Sequence, residues 1–325
     1  MKPKSLKLDI NEVKLLSNIN FIKETGVTLP LYAQMQQPRL ISSEIINQMK
    51  RVERNSTNPI NLYKINWYNA TTDSKEDTIS DLPNYLEIPP ELTGVRARII
   101  ALVGKHFPTG SHKIGSSYSC LIPKIVTGQF SLVDDYAVWP STGNFCRGGV
   151  YNTAILNGRS ISILPEKMSE ERFEWLRQMD GEIITTPGSE SNVKEIYDEI
   201  KKIQKKRENI VVFDQFSDFF NYLWHYNTTG YAMNDIATHV AKQGERIAGV
   251  CLSSGSSGTL GSADFIKKKF PLVKLVVSEA LEAVFIKTRN GLKSTFVDFH
   301  RTTIKPVKST VCNSMNAASY NAPHC

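Results

Sequence analysis

Nothing in the 325-residue sequence approaches the roughly 20 consecutive apolar residues that span a bilayer, so a membrane helix is not expected. The first residues, Met1-Lys2-Pro3-Lys4-Ser5-Leu6-Lys7, carry charge, but no apolar stretch follows them. A secretory signal is therefore not expected, and the default location is the cytoplasm. Cysteine is sparse and odd in number, 5 residues without a Cys-x-x-Cys pair, which argues against a disulfide framework or a zinc site. Cys120, Cys146 and Cys251 lie among apolar or small residues and read as reduced thiols in or near a core. The 6 histidines form no His-x-x-x-His or His-x-Glu pattern, so no metal is expected. Charge is modest, 22% of residues against 41% hydrophobic, which gives a chain able to bury a core rather than a disordered one. The net charge of +7 comes partly from Lys201–Arg207 and Lys267–Lys269. Both runs fall on expected helix faces, and no aromatic-interleaved basic motif accompanies them, so nucleic acid is not an expected partner.

What is present is an alternation. Residues 1–60 read as a helical and irregular extension, with Ile41–Met49 its best helix, while Asn61–Trp67 alternates like a strand. Thr71–Leu82 reads as an exposed acidic loop. Short β-branched runs then follow at Arg98–Val103, Ala137–Trp139, Ser160–Leu164, Glu182–Thr185, Ile210–Phe213, Ile247–Leu252 and Val273–Ser278. Helical periodicity separates them at about 113–127, 145–157, 169–180, 191–206, 230–243 and 258–269. The fourth helix is the clearest, with Val193, Ile196, Tyr197, Ile200 and Ile203 in one stripe and Ser191 as N-cap. Pro123 should kink the first. Such alternation predicts an α/β protein with mostly parallel sheets and helices on both faces, and ligands beyond the carboxyl ends of the strands.

Three glycine- and hydroxyl-rich turns run into helices at such strand ends: Phe107–Lys113, Pro140–Asn144 and Ser253–Thr259. Lys113 opens a helix, where the positive end of the dipole disfavours an ammonium. A bound anion or a covalent role as a neutral amine would justify it; an ordinary surface lysine is the plain alternative. Ser253–Thr259 suits a phosphate, with glycines for close backbone approach and a helix start for aligned N–H groups. It lacks the Gly-Lys-Ser/Thr of a P-loop and is not Gly-x-Gly-x-x-Gly, which disfavours a nucleoside triphosphate or dinucleotide; a flexible surface loop is the alternative. Ser141–Asn144 can hold a carboxylate, and Asn144 can bond a ring hydroxyl, or the turn simply caps a helix. A reactive lysine, a phosphate cradle and a carboxylate nest together describe pyridoxal 5′-phosphate chemistry on an amino acid.

These stretches carry a resemblance. Pro108-Thr109-Gly110-Ser111-His112-Lys113, Ser141-Thr142-Gly143-Asn144 and Gly255-Ser256-Ser257-Gly258-Thr259 resemble the tryptophan-synthase-β-like, fold type II, pyridoxal-phosphate enzymes. Leu164–Ser169, Gly181–Ile184, Gln215-Phe216 and Asn221–Gly230 point to the cysteine synthase and cystathionine β-synthase branch, with the likeness running from about Leu62 to Glu279. The resemblance implies Lys113 as the catalytic, cofactor-bearing lysine and Asn144 beside the cofactor's 3′ oxygen. It implies Gly255, Ser256, Ser257, Gly258 and Thr259 around the phosphate, and Ser141, Thr142, Gly143 and Gln215 around the substrate carboxylate. The implied activity is β-replacement on a small amino acid through an aminoacrylate. β-Elimination by a serine, threonine or cysteine deaminase or lyase, or a truncated non-catalytic binding protein, are the alternatives. The implied fold has two lobes, residues 61–215 and 216–290, after the 1–60 extension; family analogy adds a homodimer. Ser111 and His112 depart from the commoner Ser-x-Lys pattern with its following Asp-Arg, and Ser256 and Ser257 from the usual threonine and glycine. After about Asn290 the sequence shows neither likeness nor period, so an atypical tail at 291–325 and an incomplete second lobe are expected.

Overall fold

The computed structural model describes residues 9–70, 78–141, 143–189, 193–253, 255–256 and 258–278. Helix α1 (Glu12–Thr25) starts where the Asn11 side chain accepts from Lys14 N at 3.1 Å, and ends at Gly26 in the left-handed region (φ 66°). It docks on the body of the protein through buried Asn18, whose amide donates to Ile125 and Phe130 carbonyls and accepts from Leu132 N. Helices α2 (Tyr32–Gln36) and α3 (Ser43–Lys50) follow. The expected helix at 41–49 thus forms, capped by Ser42.

The strand expected at Asn61–Trp67 does not form. Its place is taken by a 3₁₀ helix, Pro59–Lys64, initiated by Pro59 and by Asn58, which accepts from Ile60 N at 3.0 Å. Every residue from Ile60 to Ala70 is buried, so the alternation has no solvent face to serve. The donors of the polar members are used internally: Asn61, Asn66 and Asn69 donate to backbone carbonyls, and Lys64 Nζ donates to Val52 O at 2.7 Å. Strand β1 (Tyr85–Ile88), the single turn α4 (Pro90–Thr93) and β2 (Ile99–Leu102) form an antiparallel pair apart from the main sheet. The run at Arg98–Val103 is therefore a strand, but not one of the parallel set.

Helix α5 (Lys113–Val126) continues through Pro123, the residue expected to kink it, to Val126. Beyond it lie β3 (Tyr136–Pro140), α6 (Asn144–Ile155), β4 (Arg159–Pro165), α7 (Glu170–Arg177), β5 (Glu182–Thr186), α8 (Val193–Lys206) and β6 (Ile210–Val212). The four strands form one parallel sheet in the order β5-β4-β3-β6. Ile196, Ile200 and Ile203 of α8 bury one face against Val138, Ile161 and Ile163. Ala137, Trp139 and Leu164 belong to the core that α5 and α6 build on the other side. Each isoleucine so buried contributes about 1.5–3 kcal/mol. Ser191, the expected cap of α8, lies outside the described residues.

Helix α9 (Phe219–Trp224) runs through a π turn at His225–Thr229 into α10 (Gly230–Val240). Strand β7 (Gly249–Ser253), α11 (Leu260–Lys269) and β8 (Lys274–Ser278) follow, with the two strands parallel in a sheet of their own. Val250 and Leu275 pack on Ala263 and Ile266 of α11. Cys120 and Cys146 are buried as expected, but Cys251 is exposed, because it points to the other face of β7, which no described element covers. The tail expected to be atypical lies outside the described residues.

Candidate functional site

The strand order places a topological switch between β3 and β6. From β3 the chain steps outward to β4 and β5, then returns across the sheet to β6. Open parallel sheets bind ligands at such points, beyond the carboxyl ends of the strands. Here those ends lead into Ser141 after β3 and Gln215 after β6, and Gln215 Nε2 donates to Ser141 Oγ at 3.4 Å. Ser141 Oγ also accepts from Gly143 N at 3.3 Å, folding the turn that starts α6. Asn144 opens that helix with its side chain exposed; Thr142 lies outside the described residues.

Lys113 reaches the same place from the first turn of α5. Its Nζ donates to Gln215 Oε1 at 3.4 Å and to Ser256 Oγ, in the glycine loop after β7, at 3.0 Å. All three expected turns therefore meet. Burial pushes the Lys113 amine down from 10.5 to about 8, with the nearby Cys120 thiol acting the other way. Both its acceptors are neutral oxygens, and among the described residues no carboxylate pairs with it.

The turn before Lys113 is held tightly. Thr109 takes the left-handed conformation (φ 63°), uncommon for a β-branched residue, with its N–H bonded to Asn55 Oδ1 at 2.9 Å. His112 stacks against two indoles that also pack on each other, 5.7 Å from Trp67 and 6.4 Å from Trp224, with 6.4 Å between the indoles, all measured between ring centroids. Burial, and then the charge of Lys113, push this imidazole down to about 4, so at neutral pH it is an uncharged ring. Gly115 is what lets Trp224 come so close: a Cβ there would lie 2.0 Å from the indole. Beneath this stack, His225 bonds Ser116 at 3.1 Å and Thr229 at 3.0 Å, and burial drives its pKa far below the usual value.

The glycine loop is anchored from both sides. Thr259 Oγ1 donates to Ser253 O at 2.8 Å, closing the loop at the start of α11. Buried Asn221 donates to Gln215 O at 2.9 Å, Ser256 O at 3.3 Å and Ser256 Oγ at 3.1 Å, tying the loop to the first lobe. Among the described residues its Oδ1 has no partner, and Gly258 packs against it so closely that a Cβ would lie 2.6 Å away. Gly255 is partly buried and Ser257 lies outside the described residues. Asn221 and the Trp67–His112–Trp224 stack carry no site role in the sequence reading. Their partners are far apart in the chain, and no local spacing marks them.

The arrangement fits an aldehyde cofactor with a phosphate. It offers an amine of lowered basicity, a hydroxyl-bearing glycine loop at a helix start, and an amide and hydroxyls after the neighbouring strands.

A family model described as pyridoxal-phosphate dependent enzyme matches residues 92–318, more than half of the chain. The protein belongs to the pyridoxal-phosphate-dependent enzyme family, and its cofactor is pyridoxal 5′-phosphate. The match begins later than the resemblance read from sequence and continues past Glu279, where that resemblance was expected to stop.

Among similar proteins, a cystathionine beta-synthase of Saccharomyces cerevisiae is 25% identical over 215 residues, covering 65% of this chain and 42% of that protein. A probable cysteine synthase of Bacillus subtilis is 27% identical over 173 residues, covering 53% and 54%. The chain thus spans about half, or less, of the length of these curated relatives. A solved structure of cysteine synthase from Entamoeba histolytica shares the fold, with a TM-score of 0.55 and 23% identity, covering 65% of this chain and 61% of that one. The α/β architecture with parallel strands and helices on both faces is that of this family. Among the described residues no helix is long and apolar enough to cross a membrane.

Proposed function

We propose that the protein acts on a small amino acid by β-replacement of the cysteine synthase kind, with Lys113 as its catalytic residue. The observation that carries this reading is Lys113 Nζ lying 3.0 Å from Ser256 Oγ and 3.4 Å from Gln215 Oε1. One amine touches both the loop suited to a phosphate and the residue suited to a carboxylate. When bound, pyridoxal phosphate supplies an aldehyde for imine formation and a ring that withdraws electrons from the amino acid's Cα.

The protein's residues do the rest. Gly255, Ser256, Ser257, Gly258 and Thr259 hold the phosphate, helped by the start of α11. Ser141, Thr142, Gly143 and Gln215 receive the α-carboxylate, and Asn144 bonds the ring's 3′ oxygen. Lys113 Nζ is half neutral near pH 8, so it can accept the Cα proton and later return it. The neighbouring His112, uncharged at neutral pH, adds no acidic or basic group in competition with that amine. The division into lobes at residues 61–215 and 216–290, and a homodimer by analogy with the family, belong to this same reading. Light scattering of the purified protein reads the dimer.

The test is direct. Purified protein with pyridoxal phosphate should develop a visible imine absorption band and consume O-acetylserine with sulfide. Lys113→Ala should lose both. Full turnover by that variant overturns the proposal, and keto-acid release from serine or cysteine alone replaces it with β-elimination.

A further inference from the structure

Behind the Ser141–Asn144 turn, between α6 and α7, lies a cavity of about 230 Å³ that the reaction outlined above leaves unused. Ser141 and Gly143 form one wall, so the cavity adjoins the nest assigned to the α-carboxylate. Buried Cys146, Leu164 and Leu176 contribute apolar lining, and Arg147 and Arg172 bring two positive charges.

Arg147 is the unusual group. Its guanidinium carbon lies over the Trp175 ring, 4.5 Å from the centroid, a cation–π contact. Its Nε is fully buried and has no hydrogen-bond partner, and among the described residues the guanidinium forms no ion pair. A partly buried guanidinium that lines the cavity without an ion pair carries uncompensated charge, which a bound anion would neutralise. Desolvation lowers the Arg147 pKa, while Glu171 pulls it up without coming within ion-pair distance. Glu171 and Glu174 also line the cavity, but both are exposed, where solvent screens them, whereas the two arginines are partly buried. Arg172 is already engaged, donating to Met168 Sδ at 3.9 Å, which orients its side chain.

We infer that this cavity is an anion subsite, in which Arg147 receives a carboxylate or phosphate carried by a substrate in addition to its α-carboxylate. This rests on the amino-acid reading of the adjoining nest. The anion has two sources, the β-substituent of the amino acid or the incoming thiol, and binding measurements separate them. Protein loaded with pyridoxal phosphate is titrated with O-phospho-L-serine against L-serine, and, with serine bound, with mercaptoacetate against 2-mercaptoethanol.

The expected result is at least tenfold tighter binding of the anionic member of one pair. That preference should fall to near unity in Arg147→Gln and partly return in Arg147→Lys, which keeps the charge but not the fork. Circular dichroism confirms that each variant folds. Preference in the serine pair assigns the anion to the β-substituent; preference in the thiol pair assigns it to the nucleophile. Equal binding within both pairs, or a preference that survives in Arg147→Gln, overturns the inference.

A second titration stands apart from the amino-acid reading. Inorganic phosphate added to the cofactor-free protein should change the fluorescence of Trp175, with Trp175→Phe as the blank. The change should persist in Lys113→Ala and vanish in Arg147→Gln. If cofactor uptake fails while this signal holds, the amino-acid reading falls and the anion subsite stands. If the wild-type protein shows no Arg147-dependent change, the subsite falls.

Discussion

Thr109 shows what single residues contribute here. A β-branched side chain at φ 63° costs about 1–3 kcal/mol, and it sits four residues before Lys113. Thr109→Gly should relieve this strain and raise the urea midpoint by an amount equivalent to about 1 kcal/mol. Cofactor uptake should then slow, because the turn that aims Lys113 becomes slack. Asn221 acts in the opposite sense, since its amide ties Gln215 to Ser256. Asn221→Ala should cost about 1–3 kcal/mol of stability. It should also weaken pyridoxal phosphate binding more than pyridoxal binding, which equilibrium dialysis measures. Lys113 itself titrates near 8 rather than 10.5, so imine formation with added cofactor should accelerate as pH rises through about 8. Stopped-flow absorbance at several pH values checks this. Lys113 was legible in the sequence because a lysine at a helix start, after a glycine turn, contradicts the local electrostatics. Asn221 was not, because its role exists only once residues 215, 221 and 256 are together.

At the scale of elements, legibility followed the number of faces a segment buries. The apolar stripe of α8 gave the helix outright, since one side meets the sheet and the other meets water. Ile200→Ala should cost about 2–5 kcal/mol by leaving a cavity against Val138 and Ile161, read from denaturant unfolding. Asn61–Trp67 misled for the opposite reason. Its polar residues are buried and bonded to backbone carbonyls, so the period-2 pattern reports internal hydrogen bonding rather than a strand. Arg98–Val103 was recognised as a strand, yet its pairing with Tyr85–Ile88 depends on a partner whose own pattern is weak. Close approach of α5 and α9 likewise left no periodic trace beyond Gly115. Gly115→Val should push Trp224 off its seat and cost about 1–3 kcal/mol or more, with loss of the His112 stack visible in tryptophan fluorescence.

For the whole molecule, acid sensitivity has a definite direction. His112 titrates near 4 in the folded protein and near 6.5 when unfolded, so between those values only the unfolded chain takes the proton. Stability from this group is complete above about pH 6.5 and is lost as pH falls toward 4. The buried His225 adds to the same trend. Unfolding midpoints at pH 7, 5.5 and 4.5 should decline, and His112→Phe should flatten the decline without abolishing it. The parallel sheet and the three converging turns were readable because each is local in sequence. Their meeting at one point was expected from the rule that ligands bind beyond the strand ends, but the hydrogen bonds that join them through Gln215 and Asn221 were not.

That meeting point also sets an order of events for the growing polypeptide. The Lys113 amine and the Ser256 hydroxyl are separated by 143 positions. During synthesis the lysine emerges long before its acceptor does, and contacts of such separation close late. Acquisition of yellow colour by the nascent protein would therefore time the docking of its two halves, a built-in chromophoric clock for maturation.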